Sequence, residues 1–119
     1  LHTYAPVAKL SSIRVILALA ALEDWLLENM DVENAYLQSP VEEEVYVRQP
    51  QGFERRGPGG EQLVCRLKKS LYGLRQSANN WYGVISGWLK ECGFTASGAD
   101  ACVFVQRKGR AVVIVAMYV

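Results

Sequence analysis

Apolar residues Ile13, Ile16, Leu17, Ala20 and Leu22 recur at helical spacing behind Ser11 and Ser12, either of which can cap, with Pro6 in the entering loop. This pattern predicts a helix running to about Glu23. The period then shortens to two through Leu26 or Leu27, Met30 and Val32, which predicts a strand carrying Asp31 to its far end. "ENAYLQSP" turns, "EEVYVRQ" alternates as a second strand, and "LVCRL" is a third, short one. "KKSLYGLRQ" is a basic connector broken at Gly73. From Ser77, a second N-cap, the residues Trp81, Val84, Ile85, Trp88, Leu89 and Cys92 mark one face of a helix that stops at Gly93. "ACVFVQ" and "AVVIVAMYV" then flank "RKGR" as a hairpin with Gly109 in its turn. Between the second and third strands, Pro50 to Gln62 holds four of the ten glycines and two of the four prolines, and reads as a flexible loop. The order predicts an α+β fold with helices packed on a mostly antiparallel sheet.

The 119 residues, half of them apolar, suit one domain or part of one, with enough length for a sizeable core. Thirteen Lys and Arg against twelve Asp and Glu exclude a globally basic coat for nucleic acid, so any such surface is local. Cys65, Cys92 and Cys102 are odd in number and widely spaced, which supports neither a disulfide framework nor a zinc site and favours a reducing compartment. With one histidine, a metal would sit on carboxylates, the preference of magnesium and similar hard cations. "VILALAAL" and "AVVIVAMYV" fall short of the roughly 20 residues of a membrane span. The chain opens without Met in a loop-like segment and closes inside its most apolar strand pattern, so the expected form is a fragment of residues 1–119 truncated at both ends.

Two stretches carry chemistry. In "MDVENAYL", an aspartate at a strand end is most often a turn former or a cap, and Asn34 suits an ordinary Asx-turn. Yet a glycine-free turn directly after Asp31 gathers the backbone N–H groups of Glu33 to Tyr36 near a carboxylate, an arrangement suited to phosphate oxygens beside a metal. In "CRLKKSLYGLRQSANNWY", Lys68, Lys69 and Arg75 are interleaved with Tyr72, Trp81 and Tyr82. Cations with rings is how nucleic acid is held, while for the three cations a solvated surface explains the pattern equally well. Trp81 and Trp88 are expected in the core.

"TYAPVAKLSSIRVILALAA", "MDVENAYLQSPVEEEVYVRQPQGF", "CRLKKSLYGLRQSANNWY", "LKECGFTASGADACVFV" and the terminal "MYV" resemble, in order and spacing, the reverse transcriptase of copia-type LTR retrotransposons. The likeness covers nearly the whole chain. It implies a partial fingers and palm segment and an RNA-directed DNA polymerase that joins nucleotides to a primer 3′-hydroxyl using two ions about 3.5 to 4 Å apart. It further implies that Asp31 is the first metal-binding aspartate and that the Val32 carbonyl also reaches a metal. On the same grounds the amides of Asn34 and Ala35 hold the incoming triphosphate, Tyr36 gates the sugar against a 2′-hydroxyl, and Gln76 packs near the nucleotide. Lys68, Lys69, Arg75 and Tyr118 fall to template and primer.

The implied cofactor is magnesium, with manganese as the alternative. The implied partners are an RNA template, a DNA primer, deoxynucleoside triphosphates and the rest of a polyprotein with integrase and RNase H, without a membrane. The parent element would act inside the cell, in a cytoplasmic virus-like particle. The family's pattern continues from Tyr-Val into Asp-Asp, the remaining metal carboxylates, whereas this chain closes on Tyr118 and Val119, so it is expected to be inactive alone. Ser77, Ala78 and Asn79 stand where many relatives carry Ala-Pro-Arg, and Ala116 where a larger apolar residue is usual. The rival reading is a catalytically dead transposon relic serving at most as a nucleic-acid-binding or structural module.

Overall fold

In the computed structural model, which describes residues 3–119, two helices and two small antiparallel sheets follow one another along the chain. Helix α1 spans Leu10–Leu22, a 3-10 turn spans Ala35–Gln38, and strands β1 (Tyr46–Arg48) and β2 (Val64–Arg66) pair antiparallel with Val47 opposite Cys65. Helix α2 spans Ser77–Glu91 and leads into β3 (Thr95–Ala96), β4 (Val103–Lys108) and β5 (Ala111–Ala116), a three-stranded sheet in that order. The α+β class and the antiparallel pairing are as the sequence pattern requires.

Each element's ends have local causes. The last turn of α2 is closed by a Schellman arrangement: Phe94 N–H donates to the Leu89 carbonyl at 3.0 Å and Gly93 N–H to Lys90 at 2.9 Å. Gly93 sits at φ +90°, where a Cβ would be strained. The β4–β5 hairpin turns on Gly109 and Arg110 alone, between the paired residues Lys108 and Ala111, and only Gly109 has positive φ, the signature of a type II′ turn. Residues 50–62 form a loop tied at its base by Gln49, whose side-chain amide donates to the carbonyls of Arg55 and Leu63 at 2.9 and 2.8 Å. Its tip is bridged by the pairing of Arg56 with Gln62.

Three expectations are corrected. The strand expected around Met30 does not form a ladder: residues 25–32 pair with no neighbour among the described residues and are all exposed. Periodicity supplies one face of a strand, but its hydrogen bonds need a partner edge. None of Ser11, Ser12 and Ser77 caps its helix as expected. Lys9 occupies the N-cap of α1 and Gln76 that of α2, and the Ser77 hydroxyl instead donates to the Leu71 carbonyl at 2.5 Å. Finally, Trp81 is buried but Trp88, seven residues on and nearly in line with it, is 56% exposed, because the buried side of α2 shifts from Ser77 and Trp81 in its first turns to Ser86 and Leu89 in its later ones.

The core is small. Its buried apolar residues are Ala8, Ala20, Trp81, Leu89, Cys102, Val103 and Phe104, drawn from α1 and its entry, from α2 and from the start of β4. Of the apolar positions on α1, only Ala20 is buried.

Candidate functional site

The turn after Asp31 is built from backbone. Asn34 adopts the left-handed conformation (φ 51°, ψ 42°) with no capping hydrogen bond from its side chain, so an Asx-turn is not what holds it. Asparagine is among the few residues with a side chain that tolerate this region. It reverses the chain into the 3-10 turn, where Leu37 N–H donates to the Asn34 carbonyl at 2.9 Å. Asp31 and Val32 precede the reversal in an exposed segment outside any helix or strand.

The far side of the turn is anchored to the basic connector. The Ser39 amide and hydroxyl both donate to the Tyr36 carbonyl, at 3.1 and 2.8 Å, and the Ser70 amide donates to Ser39 at 2.9 Å. Asn80, from the first turn of α2, donates to the Ser70 hydroxyl at 3.2 Å and the Pro40 carbonyl at 3.3 Å. Ser39, Ser70 and Ser77 are fully buried, and every buried side-chain polar atom among the described residues has a partner. This serine–asparagine network, which periodicity does not reveal because it concerns small polar residues, fixes the 3-10 turn on α2.

Its product is an aromatic pair. The Tyr36 and Tyr72 rings lie with centroids 4.6 Å apart, tilted by 37°. Tyr36 is half-buried and Tyr72 is 63% exposed, so the pair presents a face to solvent. Directly after Tyr72, Gly73 (φ +94°) bends the connector, and Leu74, Arg75 and Gln76 line an open groove of about 580 Å³ together with Glu43, Val45 and Thr3. Lys68 and Lys69 run beside Pro40 and Val41 with exposed side chains, Val41 N–H donating to Lys68 at 3.4 Å.

The structure thus joins Asn34, Ala35 and Tyr36 through Tyr72 and the serine network to the segment bearing Lys68, Lys69, Arg75 and Gln76. Tyr118 stands apart. It follows β5 in the other sheet and is 79% exposed. As metal donors, Asp31 and the Val32 carbonyl are hard oxygens of the type magnesium prefers, but the described residues contain no cluster of three His, Cys, Asp or Glu. The donor type fits and the set is incomplete.

A second polar centre escaped the sequence reading. Asp100 is 5% exposed, with its carboxylate accepting from the Lys9 amide at 2.9 Å and the Cys102 amide at 3.0 Å. The Ser12 hydroxyl, then these two amides, hold its carboxyl below the usual range. Lys9 Nζ donates to the Ala99 carbonyl at 2.7 Å and Cys102 Sγ to Pro6 at 3.2 Å, so the start of α1 is pinned to the β3–β4 connection. Burial, then the Asp100 charge, raises the Cys102 thiol, which is the protonated, unreactive form. An aspartate two residues before a buried amide in "GADAC" is an Asx-turn signal that could have flagged this site.

Comparison with known proteins closes the question of kinship. The family model described as reverse transcriptase (RNA-dependent DNA polymerase) matches residues 1–119. The retrovirus-related Pol polyprotein from transposon RE2 of Arabidopsis thaliana is 39% identical over 99% of this chain, which spans 8% of that protein. The corresponding polyprotein from transposon TNT 1-94 of Nicotiana tabacum is 42% identical over 87% of the chain, again 8% of its own length. A truncated transposon Ty1-A Gag-Pol polyprotein of Saccharomyces cerevisiae is 38% identical over 87%. No solved structure matches. No helix among the described residues is long and apolar enough to cross a membrane. The chain belongs to the reverse transcriptase (RNA-dependent DNA polymerase) family, and its relatives are Pol polyproteins of copia-type retrotransposons.

Proposed function

We propose that this chain is the part of a copia-type polymerase's fingers and palm that receives the incoming nucleotide, its parent adding deoxynucleotides to a DNA primer on an RNA template. The observation that carries this reading is the left-handed turn at Asn34, which follows the exposed Asp31 and ends under the stacked Tyr36 and Tyr72 rings. In this reading Asp31 and the Val32 carbonyl hold a divalent ion, magnesium or manganese. When bound, such ions neutralise phosphate charge and lower the pKa of the attacking hydroxyl. The amides of Asn34 and Ala35 donate to triphosphate oxygens, as N–H groups at a turn can. Tyr36 lies against the sugar. Gln76, in the groove wall, packs near the nucleotide, while Lys68, Lys69, Arg75 and Tyr118 meet the template and primer.

With Asp31 as the one carboxylate assigned to the metal, the 119-residue chain alone leaves an ion largely to water, and we expect no primer extension from it. The decisive test uses a longer polypeptide made by joining this chain to the flanking reverse transcriptase segments of a relative such as the transposon TNT 1-94 Pol polyprotein. Asp31→Asn, which keeps shape and removes charge, should abolish extension while leaving thermal stability unchanged. Asn34→Gly should retain activity, since the turn needs a left-handed backbone rather than an amide side chain. A 2′-hydroxyl against the Tyr36 ring loses water without gaining a hydrogen bond, at a cost of about 1 to 3 kcal/mol. Tyr36→Val should therefore lower deoxy-over-ribo selectivity in kcat/KM by roughly 5- to 150-fold, and Tyr36→Phe should preserve it. An unchanged ratio in Tyr36→Val removes the gate.

A further inference from the structure

The twelve acidic residues all lie within residues 1–100, where they face ten Lys and Arg; the last nineteen residues carry Arg107, Lys108 and Arg110 and no acid. These three cations fall within four positions at the tip of the β4–β5 hairpin. All are exposed, and none takes part in an ion pair or a side-chain hydrogen bond among the described residues. Cations with no local partner repel one another, and an external anion or salt relieves that repulsion.

The tip is held in place. Six ladder pairs join β4 to β5, and Gln106, the residue before Arg107, donates its side-chain amide to the Cys92 carbonyl at the end of α2 at 2.6 Å. Arg107 and Lys108 are successive strand residues and so point to opposite faces of the ribbon, while Arg110 sits in the turn between Lys108 and Ala111. A cluster spread around a tip cannot lie flat on one acidic surface. It suits an anion that surrounds a narrow projection, as the two phosphate rows flanking a groove of a nucleic-acid duplex do.

We propose that the β4–β5 hairpin tip is a contact for the sugar–phosphate backbone of a nucleic-acid duplex, made by Arg107, Lys108 and Arg110. The proposal rests on the polymerase reading for its choice of anion and adds a site away from the Tyr36 turn. Backbone contact carries no base preference, so the tip fixes the duplex's position and contributes affinity equally to every sequence.

The test compares the unaltered longer polypeptide with a form carrying Arg107→Gln, Lys108→Gln and Arg110→Gln, all exposed positions whose change leaves the ladder intact. Binding to a 25-base-pair RNA–DNA duplex is followed by fluorescence anisotropy across a salt series, with polyglutamate as a parallel probe. Each lost phosphate contact lowers the slope of log K against log salt by about 0.9 for duplex DNA. The variant should therefore lose about 2 to 3 units of slope, by the same amount for two unrelated duplex sequences, and should be unaltered toward polyglutamate. An unchanged slope overturns the proposal. So does a loss confined to polyglutamate, which would assign the tip to an acidic protein. An Asp31→Asn polypeptide run in parallel separates the two readings: extension that survives there defeats the polymerase assignment of Asp31, whereas the slope reports on the tip alone.

Discussion

At the scale of single residues, Asp100 shows how one carboxylate can organise two elements that share no apolar seam. It satisfies the Lys9 amide at the entry to α1 and the Cys102 amide at the entry to β4, positions where neither helix nor strand supplies a partner. A negative charge beside a helix N-terminus is also favoured by the helix dipole. Because hydrogen bonding lowers its folded pKa below the ordinary value of 3.8, the stabilisation is complete above that value and is lost as pH falls through the folded pKa. At the other end of the range, burial raises the folded pKa of Cys102 above 9.0 and of Tyr82 above 10.0, so their share is complete below those values and fades as pH rises through the folded ones. Asp100→Asn should abolish the acid-side loss while lowering stability at neutral pH. Hydrogen exchange resolved by segment checks it: the amides of residues 10–22 should exchange faster in the variant at pH 7, and an unchanged rate would show that α1 is held by something else.

Between elements, the serine–asparagine network decides where the 3-10 turn sits, because α2 and the turn touch with few large side chains. Ser70→Ala removes an acceptor of Asn80 and a fully buried hydroxyl, which should cost about 1 to 2 kcal/mol in unfolding free energy. Asn80→Ala should cost a similar amount, and the double variant less than their sum, since both break one network. Strict additivity in denaturant unfolding of the longer polypeptide would show the contacts to be incidental. Sequence patterns foretold the elements with strong local causes. The Gly93 stop, the Gly109 turn and the apolar runs of β4 and β5 each need only a few adjacent residues to specify them. Tyr36 and the connector were visible as motifs, yet their meeting through Ser39, Ser70 and Asn80 spans up to forty positions and leaves no periodic trace. The segment 25–32 failed in the opposite sense: its alternation is real, but a strand exists only against a partner edge, which no local pattern can supply.

The molecule as a whole is elongated, with extents of 68 × 23 × 21 Å and a radius of gyration of 19.4 Å. A compact chain of this length would have a radius of gyration of roughly 13.5 Å. The difference has a chemical signature in side chains left in water: Leu22, Leu26 and Met30 are 79, 85 and 81% exposed, and Leu10, Val15 and Leu17 of α1 are at least 48% exposed. Each such residue forfeits about 1.5 to 3 kcal/mol that burial would contribute, so six of them outweigh a typical domain's whole margin of about 5 to 15 kcal/mol at the upper end of that range. The uncovered surface runs along α1 and the following segment, and β5, the last strand in its sheet, offers an unpaired edge. Such edges and patches pair with whatever strand or apolar face they meet. The 119-residue chain alone should therefore bind 8-anilinonaphthalene-1-sulfonate strongly, unfold over a broad temperature range and self-associate at micromolar concentration. In the longer polypeptide the same probe should be excluded and unfolding should sharpen. Charged replacements at Leu26 and Met30 separate exposure from mere looseness: they should reduce dye binding and association by the isolated chain, and destabilise the longer polypeptide by about 2 to 4 kcal/mol if those side chains become buried there. A sharp, dye-silent transition from a monodisperse 119-residue chain would mean that this surface is covered without any further polypeptide.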